Sequence, residues 1–308
     1  MRTVSPAGLC PIVTSADGNF AMPLATALRS LAQANGHHWP IDVVVLVSAF
    51  PREERRRVEA SLPPDAVHIR WEEVDLAPFR AFRPLSYLPP MSYARLSLER
   101  HLAPDASRIV YLDADTLVLD DLAPLASTPL GSAVVGAVPD DYLDAALAGR
   151  RPLKHGGVPR VARYFNSGVL VIDVPKWRSG GVAERAIAYL AAHPRSPFAD
   201  QDALNVACDG AWHELAPRWN FQDHRALRID RMPAARRPAI AHFVSTDKPW
   251  KPGGDSRNAA FYDGFRARTA YRRTVAHRLA DLAEAGARRT VRFAWRHCQR
   301  WPAVRRRS

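Results

Sequence analysis

Short apolar runs alternate with helix-like segments along the N-terminal part of the chain, and this alternation constrains the fold more than any other feature. The clearest run, Ile41–Val47, is β-branched or leucine at all positions but one, which is typical of a strand buried on both faces. Helical spacing occurs at Leu24, Leu28 and Leu31 and again over Tyr93–Leu102. Strands separated by helices form βαβ units, so the sequence predicts an α/β fold with a Rossmann-like, mostly parallel central sheet flanked by helices. Ligands of such sheets bind beyond the carboxyl ends of the strands, where polar residues become candidates for function.

The formal net charge of +12 is concentrated at the C-terminus. Residues 264–308 contain 13 Arg, no Lys, one Asp and one Glu, whereas residues 1–263 contain 30 Lys and Arg against 29 Asp and Glu. We therefore predict a near-neutral catalytic domain over residues 1–263 and a basic, helical C-terminal tail over residues 264–308. A nucleic-acid enzyme usually spreads positive charge over its body and carries a recognition module, so no nucleic-acid partner is expected.

The tail allows two interpretations. Val275, Leu279 and Leu282 recur at helical spacing, and 13 of the 45 residues from 264 to 308 are Arg. The segment is either a helix packed on the domain or an amphipathic basic segment on an anionic membrane surface.

Cysteine use and hydropathy bear on the compartment. The three cysteines, Cys10, Cys208 and Cys298, lie far apart and form no CxxC motif, which argues against a disulfide scaffold or a zinc module. No apolar run approaches the ~18 residues of a membrane span, and the N-terminus lacks the apolar segment of a secretory signal. We expect a cytoplasmic protein that the tail could hold at the inner face of the membrane.

Two carboxylates follow a predicted buried strand. Asp113 and Asp115, separated by Ala114, come directly after Ile109–Leu112. At a turn leaving such a strand, both side chains can point into the crevice and hold a divalent metal. A second copy of the pattern, at residues 200–202, shows that the spacing alone is weak, and a solvated turn or a helix N-cap is the alternative.

Three further polar clusters flank apolar segments. Asn166 and Ser167 lead into a strongly apolar strand, where a buried Asn must bond either backbone groups or the hydroxyls of a sugar. Asp200 opens a predicted helix as an N-cap or as a ligand contact. His242 ends a short strand and Lys248 follows six residues later, so that one strand end can supply a metal ligand and a phosphate partner.

Together these clusters resemble glycosyltransferase family 8, retaining enzymes that use nucleotide-diphosphate sugars, and especially its bacterial lipopolysaccharide α-galactosyl- and α-glucosyltransferases. The resemblance runs from about Ile12 to Trp250 through the collinear motifs IVTSADGNFA, SYARLSLERHL, RIVYLDADTLVLDDLAPL, RYFNSGVLVIDVPKW, DQDALN, RWNF and HFVSTDKPW. It implies a GT-A fold that transfers a hexose from a UDP-sugar, with UDP-galactose or UDP-glucose as the expected donor. The implied acceptor is a hydroxyl of a saccharide, a lipid-linked sugar or a small-molecule natural product.

The resemblance also implies the roles of the donor-site residues. Asp113, Asp115 and His242 match the metal ligands, and their mixed oxygen and nitrogen set suits Mn²⁺ better than the alternative, Mg²⁺. Asp17 falls where a carboxylate can accept the uracil N3–H, which indicates UDP, and Lys248 matches the diphosphate-binding lysine. The remaining donor-binding positions are Asn19, Phe20 (stacking on the base), Arg95, Ala114, Asn166, Ser167 and Ser245.

The catalytic positions implied by the resemblance are Asp200, Gln201 and Asp140. Asp200 would orient sugar hydroxyls, Asp140 falls on the acceptor side, and Gln201 lies beneath the sugar. An amide oxygen is a poor nucleophile, so attack from the leaving-group face is favoured, with Gln201 as an electrostatic support; double displacement remains open.

Two positions depart from the family pattern. Ser245 replaces a glycine whose backbone can approach the diphosphate closely. Tyr87 stands where related enzymes often carry a histidine, and a phenol donates a hydrogen bond without being cationic. These changes leave the reaction class in place and bear on the donor sugar.

Two other function classes stay open. A sugar-1-phosphate nucleotidyltransferase shares a related nucleotide-sugar fold but would carry a Gly-rich basic stretch near the N-terminus, which Asp17-Gly18-Asn19 is not. A non-catalytic sugar-nucleotide-binding or membrane-associated protein would be favoured by the loss of a metal ligand, whereas all three ligands are present.

Overall fold

The computed structural model describes residues 9–82, 88–149, 158–222, 226–244, 246, 248–251 and 257–274. In this part of the chain the strands are β1 (Ile12–Ala16), β2 (Ile41–Val47), β3 (Val67–Glu73), β4 (Arg108–Leu112), β5 (Thr116–Val118), β6 (Val135–Pro139), β7 (Phe165–Asp173), β8 (Trp212–Glu214) and β9 (Ile240–His242). The α-helices are α1 (Ala21–Ala34), α2 (Arg52–Glu59), α3 (Ala123–Ala126), α4 (Asp141–Leu147), α5 (Val174–Ser179), α6 (Val182–Ala192), α7 (Ala199–Ala207) and α8 (Ala259–Arg266).

Seven strands form the central sheet in the order β3-β2-β1-β4-β7-β6-β8. Six of them run parallel to one another, and β7 runs antiparallel to both of its neighbours, β4 and β6. The predicted mostly parallel sheet is therefore confirmed. Strands β5 and β9 pair antiparallel in a separate two-stranded sheet beside the carboxyl end of β4.

The sheet is buried on both faces, as the composition of β2 predicts. Val43, Val45 and Val47 pack into the apolar cluster that contains α1, whereas Val44 and Leu46 pack into the cluster on the opposite face. This distribution follows from the alternation of side chains along a strand. Asp42, the second residue of β2, is exposed, and the other six residues of the strand are apolar and buried.

The segment predicted as a helix over Tyr93–Leu102 is helical, but it is wound more tightly than an α-helix. It forms a 3₁₀ helix over Pro90–His101, with the i to i+3 hydrogen-bond pattern. Its inner side is buried against the sheet and carries Arg95 toward the carboxyl end of β4.

The structured body continues beyond the domain boundary expected after residue 263, which falls inside α8. Tyr271 is buried, and its hydroxyl donates to the Glu54 carboxylate at 2.5 Å. The Arg57 guanidinium lies 4.2 Å from the centre of the Tyr271 ring. The described body thus reaches at least to Tyr271, and the helix expected over residues 275–308 lies outside the described residues.

Candidate functional site

Three candidate metal ligands meet beside the carboxyl end of the sheet. Asp113 and Asp115 follow β4, and His242 ends β9, which pairs with β5 so that His242 lies opposite Thr116. The His242 Nε2 atom lies 3.2 Å from Asp115 Oδ1 and 3.7 Å from Asp113 Oδ2. One ligand atom from each residue lies within 4.8 Å of the others, so the folded chain brings together the set selected from the motifs.

Each carboxylate is held by a fixed cation through its other oxygen. Arg95 donates to Asp113 Oδ1 at 2.6 Å, and the Lys248 ammonium pairs with Asp115 Oδ2. Burial alone would raise the pKa of Asp115, but Lys248 and His242 hold it far below its usual range. Asp115 is therefore kept anionic, and each of the two carboxylates has its second oxygen turned toward His242.

The hydrogen bonds around His242 determine which ring nitrogen carries a proton. The Gly168 backbone N–H donates to Asn166 Oδ1 at 3.0 Å, so this oxygen also accepts from the Asn220 side-chain nitrogen, 2.8 Å away. The Asn220 oxygen must then face His242 Nδ1, which lies 2.9 Å from it and donates to it. With Nδ1 donating to Asn220, Nε2 is the ring nitrogen that faces the two carboxylates and can ligate a metal.

This donor set fits a divalent cation. The three atoms that face one another are two carboxylate oxygens, Asp113 Oδ2 and Asp115 Oδ1, and one imidazole nitrogen, His242 Nε2, and each of them can ligate a metal. Acceptors that converge in this way repel one another unless a cation or a proton lies between them. Carboxylate oxygens and an imidazole nitrogen are common ligands of divalent metals in proteins.

Gly168 makes room for the cluster. A Cβ added there would lie 2.2 Å from the His242 ring and 2.7 Å from Asp113 Oδ2, closer than real contacts allow. The Gly168 carbonyl also accepts the Asp113 backbone N–H at 2.8 Å. The Asn-Ser-Gly step of the sequence is thus partly a packing requirement of the metal ligands.

Arg95 joins the metal ligands to α7. Besides Asp113, its buried guanidinium contacts Asp200 Oδ2 at 2.9 Å and donates to the Ser167 carbonyl at 2.6 Å. The same guanidinium lies 4.6 Å from the centre of the Tyr111 ring, and the Tyr111 hydroxyl donates to Asp113 Oδ1 at 3.1 Å. Tyr111 was not singled out from the sequence, although it lies two residues before Asp113 in the same motif.

The start of α7 is held by Asp202, a second residue that sequence reasoning missed. Its buried carboxylate accepts from the Tyr164 hydroxyl at 2.5 Å, the Ser196 hydroxyl at 2.6 Å and the Phe198 backbone N–H at 2.9 Å. Ala199 adopts a φ of +53°, which is strained for a residue with a side chain. These contacts fix the turn that presents Asp200 and Gln201.

Gln201 and Asn166 converge on Asp140. Asp140 Oδ2 accepts from the side-chain nitrogens of Gln201 at 3.2 Å and Asn166 at 3.4 Å. The other oxygen caps α4 by accepting the Leu143 N–H at 3.0 Å. The Asp140 carboxylate therefore caps α4 with one oxygen and contacts two candidate sugar-site residues, Gln201 and Asn166, with the other.

The residues expected at the nucleobase follow β1 at the same edge. Asp17 Oδ1 accepts the backbone N–H groups of Asn19 at 2.9 Å and Phe20 at 3.2 Å, which caps a short 3₁₀ turn. The Phe20 ring meets the Trp250 ring edge-on, with 6.3 Å between their centres, and the Lys248 ammonium lies 5.9 Å from Trp250. Trp250 thus contacts both Phe20, expected at the nucleobase, and Lys248, expected at the diphosphate. Ser245 and Tyr87 lie outside the described residues.

Replacing Asn220 by Ala is expected to weaken Mn²⁺ binding by about 10–100-fold, because His242 loses the acceptor that fixes its tautomer. Calorimetric titration of Mn²⁺ in the presence of UDP measures the change. Asn258→Ala is the matched control, since Asn258 is equally buried but bonds backbone groups near Ile229. Equal Mn²⁺ affinity of the Asn220→Ala and wild-type proteins would contradict the tautomer assignment.

Asp200 predicts a pH dependence of stability. Burial raises its pKa to about 6 from 3.8, and Arg95 opposes the shift only in part. The native state therefore binds more protons than the unfolded state between these two values, so this group's contribution to the free energy of unfolding falls as the pH rises from about 4 to about 6. Urea denaturation at about pH 4.5 and pH 6.5 should show a loss on the order of 2 kcal/mol that Asp200→Asn lacks. Parallel changes in both proteins would refute the raised pKa.

Comparison with known proteins gives a family model that covers most of the chain. The model of the family described as glycosyl transferase family 8 matches residues 11–253. General stress protein A of Bacillus subtilis (strain 168) is 30% identical over 255 residues, which cover 78% of this chain and 86% of that protein. Glycosyltransferase GlyF of Streptococcus pneumoniae serotype 4 is 28% identical over 253 residues, which cover 80% of this chain and 58% of GlyF.

Solved structures give the same result. The galactosyltransferase LgtC in complex with donor and acceptor sugar analogs superposes with a TM-score of 0.69 and 27% identity, over 84% of this chain and 96% of LgtC. An active-site mutant of LgtC superposes with a TM-score of 0.72 and 26% identity. GlyE of S. pneumoniae TIGR4, at 23% identity and a TM-score of 0.62, shares the fold. The LgtC likeness confirms the GT-A architecture that the motifs predicted.

Proposed function

Since the chain belongs to glycosyltransferase family 8, we propose that it transfers a hexose, with retention, from UDP-galactose or UDP-glucose to a hydroxyl acceptor. That the chain is a glycosyltransferase follows from the family. The donor, the metal and the acceptor are proposed here from the described residues.

One observation carries the proposal: two carboxylates and one imidazole nitrogen converge at the carboxyl edge of the sheet. Asp113, Asp115 and His242 would hold Mn²⁺, with Mg²⁺ as the alternative. When bound there, the ion neutralises a diphosphate and stabilises its departure as negative charge develops.

Lys248 would serve the same diphosphate. Its buried ammonium contacts Asp115 and donates to the Phe243 carbonyl at 2.5 Å, so it already lies against the metal ligands. A compact cation at this place can bind phosphate oxygens as a point charge. Phe20 and Asp17 would take the uracil ring at the neighbouring end of β1, by stacking and by hydrogen bonding.

The contacts of Gln201 favour attack from the leaving-group face. Its side-chain oxygen accepts the Ser167 backbone N–H at 3.1 Å, and its nitrogen donates to Asp140 at 3.2 Å. An amide oxygen is a weak nucleophile, and this one already accepts a hydrogen bond. We therefore assign Gln201 to electrostatic support of the developing positive charge on the sugar, Asp200 to the sugar hydroxyls, and a leaving phosphate oxygen to the acceptor proton.

A donor screen tests the function directly. Each of several UDP-, GDP- and dTDP-sugars is incubated with the protein without acceptor, in Mn²⁺ or in EDTA, and nucleotide release is measured. We expect metal-dependent release of UDP from UDP-galactose or UDP-glucose. Release from GDP- or dTDP-sugars alone would overturn the role of Asp17, and pyrophosphate release from UTP and a sugar 1-phosphate would favour a nucleotidyltransferase.

Asp140 is the residue proposed to lie on the acceptor side. Asp140 begins α4 and accepts from Gln201, so an acceptor hydroxyl beside Asp140 would lie next to the residue proposed to support the sugar. A saccharide is the proposed acceptor class, with lipid-linked and small-molecule hydroxyls as further candidates in an acceptor screen.

The basic tail is proposed to bind an anionic membrane surface. Residues 275–308 contain nine Arg against one Asp and one Glu, and each basic residue near an anionic bilayer gains about 1 kcal/mol that high salt removes. Among the described residues, no helix has both the length and the apolar character needed to span a bilayer.

We expect the full chain to sediment with vesicles rich in anionic lipid at low salt only, and a chain that ends at Thr274 to remain in the supernatant. Ending the chain at Thr274 rather than at residue 263 keeps Tyr271 in the core. UDP binding by both proteins is the control for folding. Failure of the full chain to sediment at low salt would exclude the membrane interpretation.

A further inference from the structure

A second cluster of metal-ligating side chains lies at the opposite end of the sheet. His37 and His38 belong to the connection between α1 and β2, just before the amino end of β2, whereas the catalytic carboxylates follow the carboxyl end of β4. Asp121 comes from the connection between β5 and α3. One ligand atom from each of these three residues lies within 4.8 Å of the others.

The distance from each imidazole to the Asp121 carboxylate is close to the distance between neighbouring ligand atoms of a tetrahedral metal. His37 Nε2 lies 3.3 Å from Asp121 Oδ2, and His38 Nε2 lies 3.0 Å from Asp121 Oδ1. Tetrahedral bonds of about 2.0–2.1 Å place neighbouring ligand atoms about 3.3 Å apart. The Asp121 carboxylate thus lies at ligand distance from both imidazoles, through a different oxygen for each.

Both ligand-bearing connections are fixed by one buried residue. Asn35 is fully buried, its backbone carbonyl accepts the His38 N–H at 3.0 Å, and its side-chain oxygen accepts the Leu122 N–H at 2.9 Å. Asp121 is oriented in turn, because its Oδ1 accepts the Ala123 N–H at 2.8 Å. Ligands held by such contacts are positioned before a metal arrives.

We infer that His37, His38 and Asp121 form a transition-metal site of the Zn²⁺ type, separate from the catalytic site. Two nitrogens and one oxygen favour Zn²⁺, Ni²⁺ or Cu²⁺ over the oxygen-preferring Mn²⁺ and Mg²⁺. His37 is more than half exposed, so the fourth position faces solvent. Because its ligands come from two connections, bound Zn²⁺ cross-links the start of β2 to the start of α3 and stabilises the folded chain.

The test uses Zn²⁺ alone and the full chain carrying Asp113→Asn, which removes one carboxylate of the proposed catalytic metal site and leaves Lys248 paired with Asp115. Zn²⁺ is titrated in competition with a chromogenic chelator, and the thermal midpoint is followed with and without Zn²⁺. We expect tight binding of one Zn²⁺ and a higher midpoint. His37→Ala and His38→Ala, each added to the same background, should weaken binding by about tenfold or more and remove the midpoint shift.

His193→Ala in the same background is the matched control, since His193 is an exposed histidine that bonds the Tyr189 carbonyl far from this cluster. It should leave both readouts unchanged. Zn²⁺ binding weaker than about 100 μM, or equal affinity in the His37→Ala, His38→Ala and His193→Ala proteins, would overturn the site. In that case the two histidines serve only as hydrogen-bond partners of Asp121. None of these outcomes depends on the glycosyltransferase reaction.

Discussion

Asp113→Asn and Asp115→Asn are each expected to lower the rate of sugar transfer by at least about 100-fold, because each removes one anionic ligand of the proposed metal site. The amide keeps the shape of the side chain but cannot neutralise a divalent cation. Steady-state rates at saturating UDP-sugar and increasing Mn²⁺ measure the effect. Calorimetry on the same proteins should show weaker Mn²⁺-dependent UDP binding.

Asp113→Asn is the cleaner of the two variants. Arg95 keeps its contacts to Asp200 and Ser167 when Asp113 is neutral, whereas Asp115→Asn leaves the buried Lys248 without its carboxylate. The exposed Asp105→Asn is the control for a general charge effect. A variant that retained more than about a tenth of the wild-type rate with unchanged Mn²⁺ dependence would remove that residue from the metal site.

Arg95→Met is expected to lower the free energy of unfolding by about 3–5 kcal/mol, the usual loss when one partner of a buried ion pair is removed. The substitution leaves the buried Asp200 carboxylate and the partly buried Asp113 carboxylate without the guanidinium that contacts both. Urea denaturation near pH 7 measures the loss. Arg95→Lys keeps the charge but not the two-sided geometry, so its loss should be smaller.

A surface pair gives the matched comparison for Arg95. Arg218 contacts Asp120 at 2.5 Å, but both side chains are about half exposed. Exposed pairs of this kind contribute about 0–1 kcal/mol, so Arg218→Met should change stability little. If Arg95→Met were as mild as Arg218→Met, Arg95 would not be the residue that joins α7 to the metal ligands.

Periodicity located the first half of the sheet because its strands are marked by composition. The apolar run of β2 and the polar turn after β4 can be read without knowing their neighbours. The direction of β7 cannot, since a strand buried on both faces has the same composition whether it runs parallel or antiparallel. The tight 3₁₀ winding of Pro90–His101 was likewise missed, because apolar spacing does not separate it from an α-helix over such a length.

The candidate site, too, could be predicted from the sequence only in part. Asp113, Asp115 and His242 could be selected as candidate metal ligands because carboxylate and imidazole side chains at strand ends suggest a metal. The family resemblance supplied the expected roles of the other donor-site residues. Asn220 lies in the motif RWNF but received no role, since its importance arises from a contact with His242, 22 residues away in the chain. Contacts of this kind depend on the packed structure, and no local pattern records them.

The reversed direction of β7 has a consequence for how this enzyme can diversify. β6 leaves the sheet at the edge where β7 enters it, and the two are joined there, with Asp140 N–H donating to the Tyr164 carbonyl at 2.9 Å. The connection between them therefore begins and ends beside the candidate sugar site while both of its ends are anchored to the sheet. Insertions in an anchored surface connection cost little in folding free energy. Under the proposed placement of the acceptor beside Asp140, exchange of this one connection alters the acceptor contacts and leaves Asp113, Asp115 and His242 unchanged.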